Sequence, residues 1–280
     1  MSFEYGMGWR PELLDVRDYR PEMEEVTCLL NGTCEIFPQK GSISSAIDLS
    51  EWCSPVEDQG QLGSCTAHAA IGLVEYFERR AYGRHVDASR LFIYRVTRKL
   101  MGVTGDTGAY LRDAMKSLVL IGAPPEAYWP YKVADFDKEP PSFVYSLASN
   151  WKALKYFRLD DRGGTDKTLE RIRYFLNRGY PSMFGFSVYD TIRDAEQNGE
   201  IPYPSRHAAL EGGHAVMAVG YDDAKSIGGK KGAIKIRNSW GSWWGEEGYG
   251  WLPYEYVLSG LADDWWSIQS QSWVDTERFG

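Results

Sequence analysis

The chain has 280 residues, 43% of them hydrophobic and 14% aromatic, enough to bury a large core as one domain or two lobes. Its net charge of −8 and pI near 5.2 argue against nucleic acid or an anionic membrane as the main partner, and no apolar run is long enough to span a bilayer. Four cysteines are too few for a disulfide-built fold, and neither they nor the four histidines show metal-ligand spacing, so no metal or other cofactor is expected.

The first residues, "MSFEYGMGWRPELLDVRDYRP", lack the basic start and apolar middle of a signal peptide, which leaves the compartment open. Residues 1–42 are rich in proline and charge. Within "EEVTCLLNGTCEIF", Asn31-Gly32 between β-prone residues predicts a type I′ hairpin. In its simplest register Cys28 faces Glu35 and points away from Cys34, so these two are not expected to bridge within it. A link from either to Cys53 stays open, and Asn31-Gly32-Thr33 is a glycosylation triplet of a kind common by chance.

Residues 64–122 read as mostly helical. Ala67, Ala70, Ile71, Val74 and Phe77 recur at helical spacing, and Gly83 can end that helix. "DASRLFIYRVTRKL" and "TGAYLRDAMKSLVLIG" continue the period, "APPEAYWPY" breaks it, and "DKTLERIRYFLNRG" predicts one more helix. From residue 181 the pattern changes to short strands: "PSMFGFSVYD", "HAVMAVGYDD", "GAIKIRNSW" and "GYGWLPYEYV", with "SIGGKKG" as a turn. The expected class is α+β, with helices over roughly 60–180 and an antiparallel sheet or barrel over roughly 181–280. There is no internal repeat.

The chemistry starts at "VEDQGQLGSCTAHAA". Cys65 stands at the first turn of its predicted helix, with Ser64 as a candidate cap and Gly60 and Gly63 in the loop before it. Helix-start N–H groups and the helix dipole favour the thiolate, so this position suits a nucleophile, although a free cysteine is more often a small buried residue. A nucleophilic thiol needs a base and an orienting group. His214 enters one strand and Asn238 leaves another, and adjacent antiparallel strands would join imidazole to amide. Taken singly, a histidine at a strand start is more often structural and an asparagine before Ser-Trp-Gly more often a turn residue.

"DQGQLGSCTAHA", "GGHAVMAVGYD" and "IRNSWGSWWGEEGYGWL" together resemble the papain family of cysteine peptidases, in a form similar to bacterial members, over about residues 46–260. His214 lies about 150 residues after Cys65, as in that family. Asn238 falls somewhat beyond the usual range, and the insert around "DDAKSIGGKK" accounts for part of the excess. The resemblance implies a two-lobe fold with a cleft between a helical lobe and a β-barrel-like lobe. It implies Cys65 as nucleophile and His214 as its ion-pair partner. Asn238 would orient His214, Trp240 would shield that contact, and Gln59 and the Cys65 N–H would form the oxyanion hole. It further implies a substrate wall at "GDTGAYL", with Gly108 pairing its backbone to substrate, and Ala109, Gly213 and Gly185 making room for a bulky apolar or aromatic P2 side chain. These glycines could instead serve only turns or packing.

Departures are visible. Leu62 stands where many relatives have a cysteine, so the usual disulfide near the nucleophile is missing, and Thr66 replaces a common aromatic. His68 shares a helix face with Cys65 and is expected to line the groove or be partly buried rather than to act as base. Residues 1–42, with Tyr5, Trp9 and Tyr19 as aromatic anchors, are expected to be an atypical pro-segment lying in the cleft, or else a structural belt on the far side. The implied partner is a protein or peptide substrate. An acyl transferase or deamidase using the same three residues, or an inert peptide-binding relative, are the competing readings.

Overall fold

The segment "HAVMAVGY" is almost wholly apolar or small, and the fold shows why. In this computed structural model, which describes residues 5–23, 26, 43–161 and 164–273, it forms part of a strand buried on both faces. Ala215, Met217 and Val219 enter one core, and Val216 and Ala218 enter a second. A half-buried strand would have shown alternation; this one separates two hydrophobic cores and shows none.

Seven described strands make the sheet: β1 (Ala46–Asp48), β2 (Trp151–Arg158), β3 (Ser182–Tyr189), β4 (Leu210–Ile227), β5 (Lys230–Arg237), β6 (Tyr249–Pro253) and β7 (Ala262–Trp273). They run antiparallel in the order β2-β7-β3-β4-β5-β6, with β1 added beside β4. On one side of the sheet lie α1 (Cys65–Tyr82), α2 (Arg90–Leu100) and α3 (Leu111–Leu120), whose Leu73, Phe92, Leu111 and Met115 build the first core. α1 rests directly on β4. Gly72 permits that approach, because a Cβ there would stand 2.8 Å from Arg237 Nη1 and 2.9 Å from Met217 Sδ. Gly83, in the left-handed region at φ +73°, ends α1 as its sequence suggests. α4 (Ser142–Ala148) follows, then α5 (Thr165–Asn177), whose Ile172, Phe175 and Leu176 join Phe184, Phe186, Trp240, Trp244 and Trp265 in the second core.

The α+β class stands, and two elements depart from expectation. β2 lies in the stretch expected to be helical. Its partner is β7, over 100 residues away, with Trp151 opposite Trp273 and Arg158 opposite Trp266, so no local pattern announces it. "GYGWLPYEYV" is not one strand: β6 stops at Pro253, which has no N–H for the ladder, and α6 (Tyr254–Leu258) begins at once. The turn between β4 and β5 falls at Gly228 and Gly229, both with positive φ. The expected hairpin around Asn31-Gly32 lies outside the described residues, and Cys53 is a buried free thiol. No described helix is long and apolar enough to cross a membrane.

Candidate active site

Cys65 is the first residue of α1 and is fully buried. The backbone N–H groups of Ala215, Gly8 and Thr66 lie close enough to its sulfur to favour the charged form. The Ala215 contact sets the sulfur against the residue that follows His214. Burial pushes the thiol up to about 11 against those donors. In this closed arrangement burial works against the thiolate that the helix start would favour. Ser64 does not cap α1 with its side chain; its hydroxyl pairs instead with Tyr131 Oη at 2.7 Å and approaches His68.

β4 and β5 bring the other two groups together. His214 Nε2 and Asn238 Oδ1 are 2.8 Å apart, so the ring N–H donates to the amide oxygen, which also accepts from the Ser239 N–H. Trp240 stacks on the imidazole with centroids 4.4 Å apart. Nδ1, on the other side of the ring, is buried without a hydrogen-bond partner. Burial pushes His214 down to about 4, against the bond to Asn238. Burial thus favours the neutral form of both the thiol and the imidazole.

Gln59 is buried rather than a surface loop residue. Its Oε1 accepts from Ser239 Oγ at 2.6 Å, and its Nε2 donates to the carbonyls of Leu62 and Gly6 at 2.8 and 3.0 Å. Gly6 belongs to the N-terminal segment, which crosses this whole surface. The Trp9 N–H donates to the Gly213 carbonyl, the Arg10 N–H to the Ala109 carbonyl, and the Ala109 N–H to the Gly8 carbonyl. Ala109 thus makes the backbone pairing with the N-terminal segment. Gly108 has φ +67°, and any side chain on it would strike the Gly8 carbonyl. The Trp9 indole fills the room left by Gly185 and Gly213, where a side chain at either would collide with it. Tyr5 stacks on Trp240 at 4.3 Å, so Trp240 is covered by His214 on one side and Tyr5 on the other.

His68 does not line a groove. It is buried, its Nδ1 is 3.1 Å from the Ser64 carbonyl, and burial, helped by nearby Arg90, pushes it down to about 3. Two residues escaped the sequence reading. Asp106 receives the Gly63 N–H on both carboxylate oxygens, at 3.0 and 3.1 Å, and the Tyr94 hydroxyl at 2.5 Å, so it holds the loop just before Cys65. Asp264 is buried in the pocket that Trp9 fills. Its only sequence mark is a carboxylate within the aromatic run "ADDWW", and the structure holds it at a non-glycine φ of +65°. Among the described residues no group of His, Cys, Asp or Glu is arranged to hold a metal ion.

This set of side chains can be compared with known proteins. The papain family cysteine protease profile matches residues 43–264. The chain belongs to that family. Xylellain, a cysteine protease from Xylella fastidiosa, has a solved structure that superposes with a TM-score of 0.77 at 33% identity, covering 98% of this chain and 99% of that one. An uncharacterized peptidase C1-like protein of Acanthamoeba polyphaga mimivirus is 36% identical over 76% of this chain and 68% of its own length. Chicken (Gallus gallus) cathepsin K is 28% identical over 78% of this chain, which spans only 61% of that relative. The observed architecture is that family's two-lobe α+β fold.

Proposed function

We propose that this papain-family member is a cysteine endopeptidase in which Cys65 attacks the peptide carbonyl. The proton of the thiol passes to His214 Nδ1. The sulfur bonds to the carbonyl carbon, and the oxyanion is held by Gln59 Nε2–H and the Cys65 N–H. The imidazolium returns the proton to the leaving amine, and water, deprotonated by the same ring, releases the acyl group. Asn238 fixes the tautomer that presents Nδ1, and Trp240 keeps water from that bond. The observation that carries the reading is the His214–Asn238 hydrogen bond under Trp240, with the sulfur of Cys65 against the next residue of the same strand.

Residues 5–10 act in this reading as a built-in block. The Gly6 carbonyl takes the Gln59 donor that an oxyanion would need. The segment also runs the wrong way for cleavage. A substrate with its scissile carbonyl at Gln59 would send its preceding residues toward Ala109, whereas here the residues that follow Gly6 go there. The wall that the substrate would use is occupied and no bond is presented for attack, which fits a zymogen.

The test is labelling by a peptidyl epoxide and cleavage of a fluorogenic peptide by the full chain and by a variant opened with Tyr5→Ala and Trp9→Ala. Both signals should rise in the opened variant and vanish when Cys65→Ala is added. Gln59→Ala should lower kcat by about 10²–10³ while labelling persists. Cleavage that survives Cys65→Ala sinks the proposal.

A further inference from the structure

Tyr131 belongs to "APPEAYWPY", a stretch that the sequence marks only as a break between helices. Its hydroxyl stands between the two ends of the loop that carries Gln59 and leads to Cys65. It donates to the Gln59 carbonyl at 3.0 Å and lies 2.7 Å from Ser64 Oγ. With its single proton given to Gln59, Tyr131 Oη accepts from the Ser64 hydroxyl. Gln59 and Ser64 are both buried, and Ser64 turns its side chain here rather than capping α1. The Ser64 carbonyl shares one peptide unit with the Cys65 N–H, and His68 Nδ1 holds that carbonyl at 3.1 Å. One phenolic oxygen therefore sets the separation of the two backbone points from which Gln59 Nε2–H and Cys65 N–H extend. Tyr131 is itself held from outside the loop. Its N–H donates to Glu126 Oε1 at 2.5 Å, Glu126 pairs with Arg90 of α2 at 3.3 Å, and its ring meets His68 edge-on with centroids 5.0 Å apart. Burial pushes the phenol up, so the hydroxyl keeps its proton. Because Leu62 stands where many relatives have a cysteine, hydrogen bonds rather than a covalent link brace the loop at that point.

We propose that Tyr131 is a positioning residue for the oxyanion hole, its hydroxyl holding Gln59 Nε2–H and Cys65 N–H at the spacing that a tetrahedral oxyanion requires. The proposal rests on the peptidase reading and deepens it. Negative charge develops on the carbonyl oxygen only as the sulfur bonds to the carbonyl carbon. An error in donor spacing is therefore felt in the transition state and little in the bound peptide. The loss falls on kcat and on kcat/KM alike and leaves KM nearly unchanged.

Two measurements on the full chain test this. In the opened variant (Tyr5→Ala, Trp9→Ala), Tyr131→Phe deletes the hydroxyl and keeps the ring. It should lower kcat roughly tenfold, with KM within about twofold. Added to Gln59→Ala it should cost only about twofold more, because the donor it positions is already gone. Ser64→Ala removes one of the two contacts and should show the same split with a smaller loss; it carries the test if Tyr131→Phe lowers the melting temperature sharply. An unchanged kcat, a loss that falls on KM, or a loss fully additive to that of Gln59→Ala would overturn the proposal. The second measurement needs no turnover: amide hydrogen exchange of residues 60–65 in the otherwise native chain. Tyr131→Phe should speed it. Exchange that stays as in the native chain would show that the hydroxyl does not hold the loop and would also overturn the proposal. If exchange speeds up but the opened variant neither cleaves peptide nor is labelled at Cys65, the peptidase reading is contradicted and with it the oxyanion role, while the hydroxyl bridge stands.

Discussion

Two parts of the N-terminal segment are held by different physics. Residues 5–10 lie across Cys65, His214 and Gln59 and are held by backbone hydrogen bonds to Ala109 and Gly213, by the Tyr5 stack on Trp240 and by the Trp9 indole. Residues 12–22 are held by charge. Arg112 takes Asp18 through two bonds of 2.7 and 2.8 Å and pairs with Glu12, Arg158 lies 3.7 Å from Asp18, and Arg171 pairs with Glu22 at 2.7 Å. The first set consists of contacts that a peptide substrate could also make, so a substrate can compete for them. The second lies outside the cleft, and no substrate competes for it. A block that must yield and an anchor that need not yield are thus joined in one short stretch of chain.

The largest expected effect is on the chemistry of the sulfur. In the closed arrangement a thiol pushed up to about 11 is ionised to only ~10⁻⁴ at neutral pH, so alkylation of Cys65 by iodoacetamide should rise about tenfold per pH unit from 7 toward 11. His214 contributes no positive charge over that range, because burial holds it neutral down to about 4. Opening the cleft with Tyr5→Ala and Trp9→Ala restores water and frees the sulfur and Nδ1 to pair. The thiolate should then be present at neutral pH and the rate should flatten there. A native chain whose alkylation is already flat between pH 6 and 9 would show that residues 5–10 do not control the thiol.

How much of this could be read from the sequence differs in the same way between local and distant features. Gly83 at the end of α1, Cys65 at its start, and the His214 and Asn238 strands are encoded by short neighbouring stretches, and the structure places them as those stretches suggest. β2 escaped because its partner strand comes from the other end of the chain. The sign of the thiol's shift escaped for a related reason. Helix-start chemistry is local and points down, while the burial that points up comes from tertiary packing around the sulfur. Asp106 and Asp264 carry no motif, and their roles arise from what they face, the Gly63 N–H and the Trp9 indole.

The anchor is broken by Arg112→Leu. That change takes away the guanidinium paired with Glu12 and leaves Asp18 only the more distant Arg158, and losing one partner of a buried pair typically costs about 3–5 kcal/mol. Because both carboxylates sit on a segment that can swing into water, the cost should appear as release of the segment. Hydrogen exchange should rise over residues 11–18, and epoxide labelling of Cys65 should speed up by roughly a hundredfold. Arg112→Lys, which keeps the charge but not the two-pronged geometry, should fall between the two. Unchanged labelling in Arg112→Leu would show that the block holds without its anchor.

The smallest effect separates the block from the anchor most cleanly. Tyr5→Ala removes the ring stacked on Trp240 and the hydroxyl bonded to Glu196 Oε1 at 2.9 Å, but touches none of the Arg112 contacts. A stacked aromatic pair contributes about 0.5–1.5 kcal/mol beyond its buried area, so labelling of Cys65 should speed up by roughly three- to tenfold. Exchange over residues 12–18 should stay as in the native chain, because the charge contacts are intact. If exchange rises along the whole segment instead, block and anchor release as one cooperative unit, and the distinction drawn between them is one of chemistry only and not of independent motion.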